Sequence, residues 1–231
     1  MQLVIFAGGL GTRISEETDY IPKPMVKIGN RPILWHIMKY YSIFGFHEFI
    51  ICGGYKVKII KDYFKKDKTW DIKVINTGSR SNTGERLKRV KKFVKNTFCL
   101  TYGDGLSNVN INKLINFHQK NKSLVTLTTV KPIPHFGKII FKGNKVDKFI
   151  EKDKNRENWI NGGFFVCEKK IFNYIKNKNS IFESDTLSSL ATKKKLSAYR
   201  HYNFWYCMDT LRDKRHLNSL WSSKKAPWKI W

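Results

Sequence analysis

The segment that decides the fold is residues 3–13, which read LVIFAGGLGTR. A short apolar run leads directly into three closely spaced glycines, and a threonine and an arginine follow. This order is typical of a buried strand that feeds a loop, where backbone amides can approach phosphate oxygens because no Cβ blocks them. Lys23 follows between Pro22 and Pro24. Arg13 and Lys23 can supply positive charge to the same phosphates.

This loop fits neither of the two common nucleotide-binding loops. The dinucleotide motif requires a glycine where Ile14 stands, and the P-loop requires a glycine where Arg13 stands. The alternative is a tight turn with no ligand, since turns use glycine for the same freedom of φ. Lys23 favours a ligand, because the flanking prolines stiffen the segment that presents its amine.

The composition predicts a single α/β domain over residues 1–231. Lys and Arg number 44 against 18 Asp and Glu, which gives a formal net charge of +26. Such a charge fits nucleic-acid binding. The lysines are nevertheless spread over every surface segment without a nucleic-acid motif, which favours a lysine-rich composition with solvated faces. We therefore expect no specific nucleic-acid partner, although a positive field would attract a nucleoside triphosphate.

The remaining composition predicts a cytoplasmic protein that does not enter a membrane. The chain has no run of eighteen apolar residues, and residues 1–13 lack the features of a signal peptide. Four cysteines lie far apart without a Cys-x-x-Cys pair, which indicates reduced thiols rather than disulfides or zinc ligands. They are Cys52, Cys99, Cys167 and Cys207.

Alternating patterns in the first 130 residues predict the fold class. The strands are expected at 3–6, 49–52, 72–75, 98–102 and 124–130, and the helices at 33–44, 57–64, 87–94 and 111–117. This alternation predicts an α/β fold with a mostly parallel, doubly wound (Rossmann-like) sheet. After residue 131, a hairpin at 138–150, a strand at 164–166 and helices near 171–175, 187–190 and 211–221 predict a small β-rich addition.

Two acidic residues are candidate metal ligands. Ligands of open parallel sheets bind beyond the carboxyl ends of the strands. Asp104 ends the 98–102 strand between two glycines, and Asp209 precedes the last helix. Mg²⁺ binds through one or two carboxylates together with substrate phosphates. The alternatives are a turn aspartate for Asp104 and a helix N-cap for Asp209.

Glu151, Lys152 and Asn161 are candidates for sugar binding. Glu and Asn suit sugar hydroxyls, and a lysine suits a sugar phosphate. The alternative is an ordinary exposed ion pair followed by a glycine turn.

Two motifs, GGLGTR at 8–13 and PKPM at 22–25, resemble the signature of the sugar-1-phosphate nucleotidylyltransferases. Further blocks resemble the branch of this family that joins CTP to glucose 1-phosphate. These blocks are RISEET at 13–18, PILWHIM at 32–38, TGERLKRV at 83–90, TYGDG at 101–105, INGGFFV at 160–166, MDTLRDK at 208–214 and KAPWK at 225–229.

The resemblance implies a role for each candidate residue. Residues 1–130 would form a nucleotide-binding half and residues 131–231 a sugar-binding half. The implied CTP-binding residues are Phe6, Ala7, Gly8, Gly9, Leu10, Gly11, Thr12, Arg13, Lys23, Ser81, Arg86 and Gly103. Ser81 and Arg86 would face cytosine, and Gly103 would lie near the ribose. Asp104 and Asp209 would hold Mg²⁺, and the sugar-binding candidates would face glucose 1-phosphate.

The implied reaction is an in-line attack of glucose 1-phosphate on the α-phosphate of CTP, with Arg13 and Lys23 as catalytic residues. The resemblance also implies a homo-oligomer and a place in nucleotide-sugar synthesis for surface glycans such as O-antigen. Two rival functions stay open at this point. One is a sister enzyme that uses UTP, dTTP or another sugar phosphate, and the other is a non-catalytic, basic nucleic-acid-binding module.

Overall fold

The structure, a computed structural model, describes residues 1–132, 137–151, 158–176 and 179–231. The strands in these ranges are β1 (Gln2–Ala7), β2 (Lys27–Ile28), β3 (Arg31–Pro32), β4 (Glu48–Gly53), β5 (Asp71–Asn76), β6 (Phe98–Tyr102), β7 (Gly105–Ser107), β8 (Val125–Val130), β9 (Lys138–Lys142), β10 (Lys145–Ile150), β11 (Ile160–Cys167), β12 (Leu196–His201) and β13 (Trp205–Cys207). The α-helices are α1 (Ser15–Thr18), α2 (Ile33–Ile43), α3 (Val57–Phe64), α4 (Thr83–Arg89), α5 (Ile111–Asn121), α6 (Ser188–Thr192) and α7 (Leu211–Ser222). Short 3₁₀ helices cover Thr12–Ile14, Lys23–Met25, Lys91–Phe93 and Lys169–Asn173, and a π-helix covers Phe182–Leu187.

The central sheet has seven strands in the order β12-β8-β11-β6-β1-β4-β5. Strand β11 runs antiparallel to both of its neighbours, and the other neighbouring pairs are parallel. In the middle of the sheet, Val4 of β1 lies between Ile50 of β4 and Leu100 of β6. The predicted mostly parallel sheet is therefore confirmed.

Helices cover both faces of this sheet. Successive side chains of β1 point to opposite faces, and the apolar side chains on each face are buried against helices. Leu3 and Ile5 belong to an apolar cluster with residues of α2, α3, α5 and α7. Val4 and Phe6 belong to a second cluster with Leu87 of α4 and with the segment that contains the π-helix. The two clusters show the doubly wound arrangement that the sequence predicts.

Helix α2 shows how the local pattern produces an element. Its apolar residues Ile33, Ile37 and Tyr41 recur at helical spacing and are buried against the sheet. The helix ends at Ile43, and Gly45 two residues later has a φ of +84°. A left-handed residue at this point is a common helix stop that glycine adopts without steric cost.

Several predicted elements differ from the structure. The helix expected at 87–94 begins earlier, at Thr83, and ends at Arg89 before a short 3₁₀ helix. The helix expected at 171–175 is a 3₁₀ helix at Lys169–Asn173, and the one near 187–190 begins as a π-helix. Strand β12 was not predicted, because at the edge of the sheet its residues are mostly half-exposed and form no apolar run.

The second half of the chain does more than add a hairpin. The predicted hairpin is confirmed as β9 and β10, which pair with each other. However, β11 and β12 join the central sheet, so the division into halves does not correspond to separate sheets. The single-domain organisation stays a prediction. Across the described ranges, no helix has the length and apolar character to cross a bilayer.

An aromatic cluster surrounds His36 of α2, which is fully buried. The ring centroids that lie between 4.6 and 6.3 Å from the imidazole belong to Trp35, Trp221, Trp228 and Trp231. His36 Nε2 lies 2.9 Å from the Ile28 carbonyl oxygen, and the Trp228 indole N–H approaches Nδ1 at 3.5 Å. An indole nitrogen only donates, so Nδ1 accepts and the ring is neutral. Burial lowers the pKa of His36 to about 4.

This burial predicts a pH-dependent stability. The unfolded chain takes up a proton at His36 near pH 6.5, whereas the native protein does so only near pH 4. The contribution of the neutral imidazole to the free energy of unfolding is therefore complete above about pH 6.5 and declines by up to about 3 kcal/mol toward pH 4. Urea unfolding of the wild type and of His36→Gln between pH 4 and 7 measures it. The wild type should lose more stability than the variant on acidification, and equal losses would contradict the buried neutral imidazole.

Candidate active site

A cavity of 410 Å³ opens at the carboxyl ends of β1 and β6. Its walls come from the loop after β1, the Lys23–Met25 helix, the start of α4, the turn after β6 and the π-helix segment. The lining residues are Phe6, Ala7, Gly8, Gly9, Gly11, Thr12, Arg13, Lys23, Pro24, Ser81, Asn82, Thr83, Arg86, Tyr102, Gly103, Asp104, Ile181 and Glu183.

The two predicted metal ligands lie next to each other at the edge of this cavity. Asp104 is in the turn between β6 and β7, and Asp209 directly precedes the N-cap of α7. Lys23 Nζ lies 2.6 Å from a carboxylate oxygen of Asp104 and 2.6 Å from one of Asp209. Arg13 Nη1 lies 2.8 Å from the other oxygen of Asp209. The structure therefore brings together all four charged residues that the sequence singled out for phosphate and metal chemistry.

The Lys23 ammonium is largely buried between the two carboxylates, and 8% of the residue is exposed. Burial lowers the pKa of Lys23, but the charge of Asp104 and the hydrogen bonds to both carboxylates outweigh it. The pKa is raised as a result, and the lysine stays protonated. The ammonium is thus a cation held by two carboxylates that converge on one point.

The donor atoms at this point fit a hard divalent cation. A carboxylate oxygen of Asp104, one of Asp209 and the Cys207 sulfur lie within 4.8 Å of one another. Burial and the two carboxylates raise the pKa of the Cys207 thiol, which therefore stays neutral. Two carboxylates with room for phosphate oxygens are a donor set that suits Mg²⁺. Cys52, Cys99 and Cys167 are buried, whereas Cys207 is half-buried beside the site.

A capping box at the start of α7 fixes the backbone of Asp209. The N-cap is Thr210 rather than Asp209, and its side chain accepts a hydrogen bond from the backbone N–H of Asp213. The Asp213 carboxylate accepts the backbone N–H groups of Thr210 at 2.7 Å and of Asp209 at 3.0 Å. The helix-cap alternative for Asp209 is therefore wrong, and Asp213 is a supporting residue that the sequence analysis did not single out.

The three glycines of the loop occupy their positions for different structural reasons. A Cβ at Gly8 would lie 2.0 Å from Arg86 Nη1, so this glycine makes room for a side chain of the protein. Gly11 has a φ of +72°, a left-handed conformation that glycine adopts readily. Nothing lies near a Cβ built at Gly9, which leaves the backbone there open to the cavity. Close approach by a ligand is therefore possible at Gly9.

Arg86 is 4% exposed and connects several loops. Its guanidinium donates to the carbonyl oxygens of Gly8 at 2.8 Å and Gly78 at 2.6 Å, and to the Thr77 hydroxyl at 3.0 Å. Burial lowers its pKa. Arg86 lines the cavity, and it also holds the glycine loop against the segment before α4.

The other predicted site residues divide into those that line the cavity and those that lie outside its lining. Eleven of the implied CTP-binding residues line the cavity, whereas Leu10 is half-exposed and lies outside the lining. Asn161 is half-buried behind the wall, with Nδ2 3.4 Å from the Tyr102 hydroxyl. Glu151 is exposed at the end of the hairpin and also lies outside the lining. Lys152 lies outside the described residues, so the sugar-binding roles stay predictions.

Four polar residues of the wall, Asn82, Thr83, Tyr102 and Glu183, were not predicted as site residues. Tyr102 and Glu183 both line the cavity, and the Tyr102 hydroxyl donates a hydrogen bond to the Glu183 carboxylate. The position of Tyr102 at the end of a predicted strand could have indicated it. Glu183 lies in a π-helix, which leaves no helical or strand periodicity in the sequence.

Comparison with known proteins identifies the family. Residues 2–222 match the nucleotidyl transferase family. The chain belongs to the nucleotidyl transferase family. The glucose-1-phosphate cytidylyltransferase of Salmonella typhimurium is 44% identical over an alignment of 256 positions, gaps included, which covers the whole of both proteins. The probable glucose-1-phosphate cytidylyltransferase of Bacillus subtilis is 38% identical over an alignment of 255 positions, again with full coverage of both.

Solved structures show the same fold. HddC from Yersinia pseudotuberculosis, complexed with GMP-PN, has a TM-score of 0.75 and 25% sequence identity, covering 95% of this chain and 99% of that chain. The resemblance drawn from the glycine loop and the later blocks is therefore confirmed.

The capping box gives a test of how the nucleotidyl transferase site is held. Replacing Asp213 with Ala should lower the free energy of unfolding by about 1–2 kcal/mol. It should also reduce transferase activity, because the backbone of Asp209 loses an acceptor. Asn110→Ala is the matched control, since Asn110 caps α5 through a 2.9 Å bond from Lys113 N and lies outside the cavity lining. Urea unfolding and pyrophosphate release measure both effects, and equal activities of the two variants would contradict this role of Asp213.

Proposed function

We propose that this protein transfers a cytidylyl group from CTP to glucose 1-phosphate, which gives CDP-glucose and pyrophosphate. The observation that carries the proposal is the 44% identity over the full length to a glucose-1-phosphate cytidylyltransferase. The cavity supports it, because a glycine loop, Arg13, Lys23 and Asp104 line one space beyond the strand ends, and the Asp209 carboxylate pairs with both cations beside it.

The residues of the site suit a reaction between two polyanions. The phosphate oxygen of glucose 1-phosphate is already an anion at neutral pH, so its attack on the α-phosphorus of CTP needs no general base. The obstacle is the repulsion between the two substrates. Arg13 and Lys23 would reduce this repulsion and stabilise the charge that spreads over the phosphate oxygens in the transition state.

Asp104 and Asp209 are the proposed Mg²⁺ ligands. Bound there with the triphosphate, Mg²⁺ would act as a Lewis acid that withdraws charge from the phosphate oxygens. Lys23 now lies between the same two carboxylates at 2.6 Å from each. Its side chain would therefore turn toward the phosphates when the carboxylates hold another cation.

The remaining assignments concern recognition of the two substrates. The open backbone at Gly9 and the residues from Phe6 to Thr12 that line the cavity would surround the nucleotide. Ser81 and Arg86 would face cytosine, and Gly103 would lie near the ribose. Asn161, Glu151 and Lys152 would bind the glucose 1-phosphate, with Asn161 acting next to Tyr102. The homo-oligomer and the cytoplasmic location stay predictions from the sequence.

A nucleotide panel tests the proposed function. Pyrophosphate release should be measured with CTP, UTP, dTTP and GTP, each with and without glucose 1-phosphate. We expect kcat/KM with CTP to exceed the other values by about 100-fold or more, because a wrong base leaves buried polar groups unpaired. Release that does not depend on the sugar phosphate is the background control. Preferred turnover of UTP or dTTP would overturn the cytidylyl assignment and would favour a sister enzyme.

A further inference from the structure

The Glu183 carboxylate joins two walls of the cavity. It accepts a hydrogen bond from the Thr83 hydroxyl at 2.6 Å and another from the Tyr102 hydroxyl. Thr83 is the first residue of α4, whereas Tyr102 is the last residue of β6. Glu183 itself belongs to the π-helix, so three separate elements meet at one carboxylate.

The protons of these hydrogen bonds have only one arrangement. The backbone N–H of Phe182 donates to the Thr83 hydroxyl at 2.9 Å, which leaves the hydroxyl proton for Glu183. On the other side, the backbone N–H of Gly163 donates to Asn161 Oδ1 at 2.9 Å. The Asn161 amide nitrogen therefore faces the Tyr102 hydroxyl, at 3.4 Å. The Thr83 and Tyr102 hydroxyls therefore each donate their proton to the Glu183 carboxylate, which can only accept.

The Tyr102 ring is held tightly, so its hydroxyl cannot move alone. Its centroid lies 5.8 Å from that of Phe6 and 6.0 Å from that of Phe165. A Cβ at Gly163, which has a φ of +78°, would lie 2.4 Å from Tyr102 Cδ2. Burial and the neighbouring Glu183 raise the pKa of Tyr102, so the hydroxyl keeps its proton at neutral pH.

The two ends of this chain of hydrogen bonds reach different parts of the site. Thr83 follows Ser81 and Asn82, and all three line the cavity on the side of Arg86. Asn161 lies beyond Tyr102 on β11, outside the lining.

We infer that Glu183 is a positioning residue that couples the nucleotide wall to the sugar-phosphate wall, through Thr83 on one side and through Tyr102 and Asn161 on the other. This inference rests on the proposed function, because that function assigns Ser81 and Arg86, on the side of Thr83, to CTP and assigns Asn161 to glucose 1-phosphate. Its distinctive consequence is that a change at Thr83 alters recognition of the sugar phosphate, although Thr83 lies on the other wall.

Four substitutions test the coupling. Tyr102→Phe keeps the ring and removes the hydroxyl, and Thr83→Val keeps the shape and removes the other donor. Each removes one hydrogen bond to the Glu183 carboxylate, so we expect the KM for glucose 1-phosphate to rise by about 3- to 30-fold in both variants. Glu183→Ala should raise the KM values of both substrates, and Glu183→Gln should recover part of this loss because its amide oxygen still accepts one of the bonds.

A double-mutant cycle separates coupling from two local effects. In a coupled chain, the combined Thr83→Val and Tyr102→Phe variant should raise the KM for glucose 1-phosphate by less than the product of the single effects. Tyr40→Phe is the matched control, because that buried hydroxyl donates to the Val109 carbonyl at 2.7 Å outside the cavity lining. It should change neither KM. The inference is overturned if Thr83→Val changes the KM for CTP alone, or if the two effects multiply.

The same assays distinguish this inference from the proposed function. Wild-type turnover of CTP with glucose 1-phosphate tests the function itself. If the wild type prefers another nucleotide or sugar phosphate, the variants are compared with the wild type on that pair. The coupling is then accepted or rejected on the same ratios, independently of which substrates are used.

Discussion

The site depends on one interaction, the ammonium of Lys23 held between the carboxylates of Asp104 and Asp209 at 2.6 Å from each. The three residues come from a short helix after β1, from the turn after β6 and from the segment before α7. Without a cation between them, these two neighbouring carboxylates would repel each other in a partly buried environment. In the proposed function, the same convergence of carboxylates would let the site hold a metal together with a triphosphate.

The fold places these groups together because of the order of its strands. Strands β1 and β6 are parallel neighbours, so the glycine loop and the Asp104 turn begin at the same edge of the sheet. Buried polar groups then hold the walls in place. Arg86 ties the glycine loop to residues 77–79, and Glu183 ties α4 to β6. Hydrogen bonds of this kind are expensive to leave unmade when buried, which favours one defined cavity shape.

The sequence predicted the parts of the site that depend on local patterns. The apolar run before the glycines, and Asp104 at the end of another apolar run, both mark strand ends, and strand ends in parallel sheets share an edge. Asp209 was singled out because it precedes the last helix, and the antiparallel pairing of β13 with β7 brings it next to Asp104. Gly8 was predicted as a point of ligand approach, whereas its structural requirement is the close guanidinium of Arg86.

Other features depend on tertiary packing and left no local signal. Arg86 is a charged residue that becomes buried only because several carbonyl groups converge on it. Glu183 lies in a π-helix without the periodicity of a regular helix, and the edge strand β12 alternates too weakly for a strand prediction. Leu10 has the apolar character of a pocket residue, yet it is half-exposed at the loop.

The central claim is that the two carboxylates require a cation between them, and the thermal unfolding of Lys23→Met tests it most directly. Melting temperatures should be compared in MgCl₂ and in NaCl of equal ionic strength, with Lys73→Met, an exposed lysine paired with Asp71, as the control. Without Mg²⁺, Lys23→Met should melt about 4–8 °C below the wild type, since two charges lose their partner. Mg²⁺ should restore much of this loss in Lys23→Met and have little effect on the control. A Lys23→Met protein that melts with the wild type and does not respond to Mg²⁺ would contradict the account.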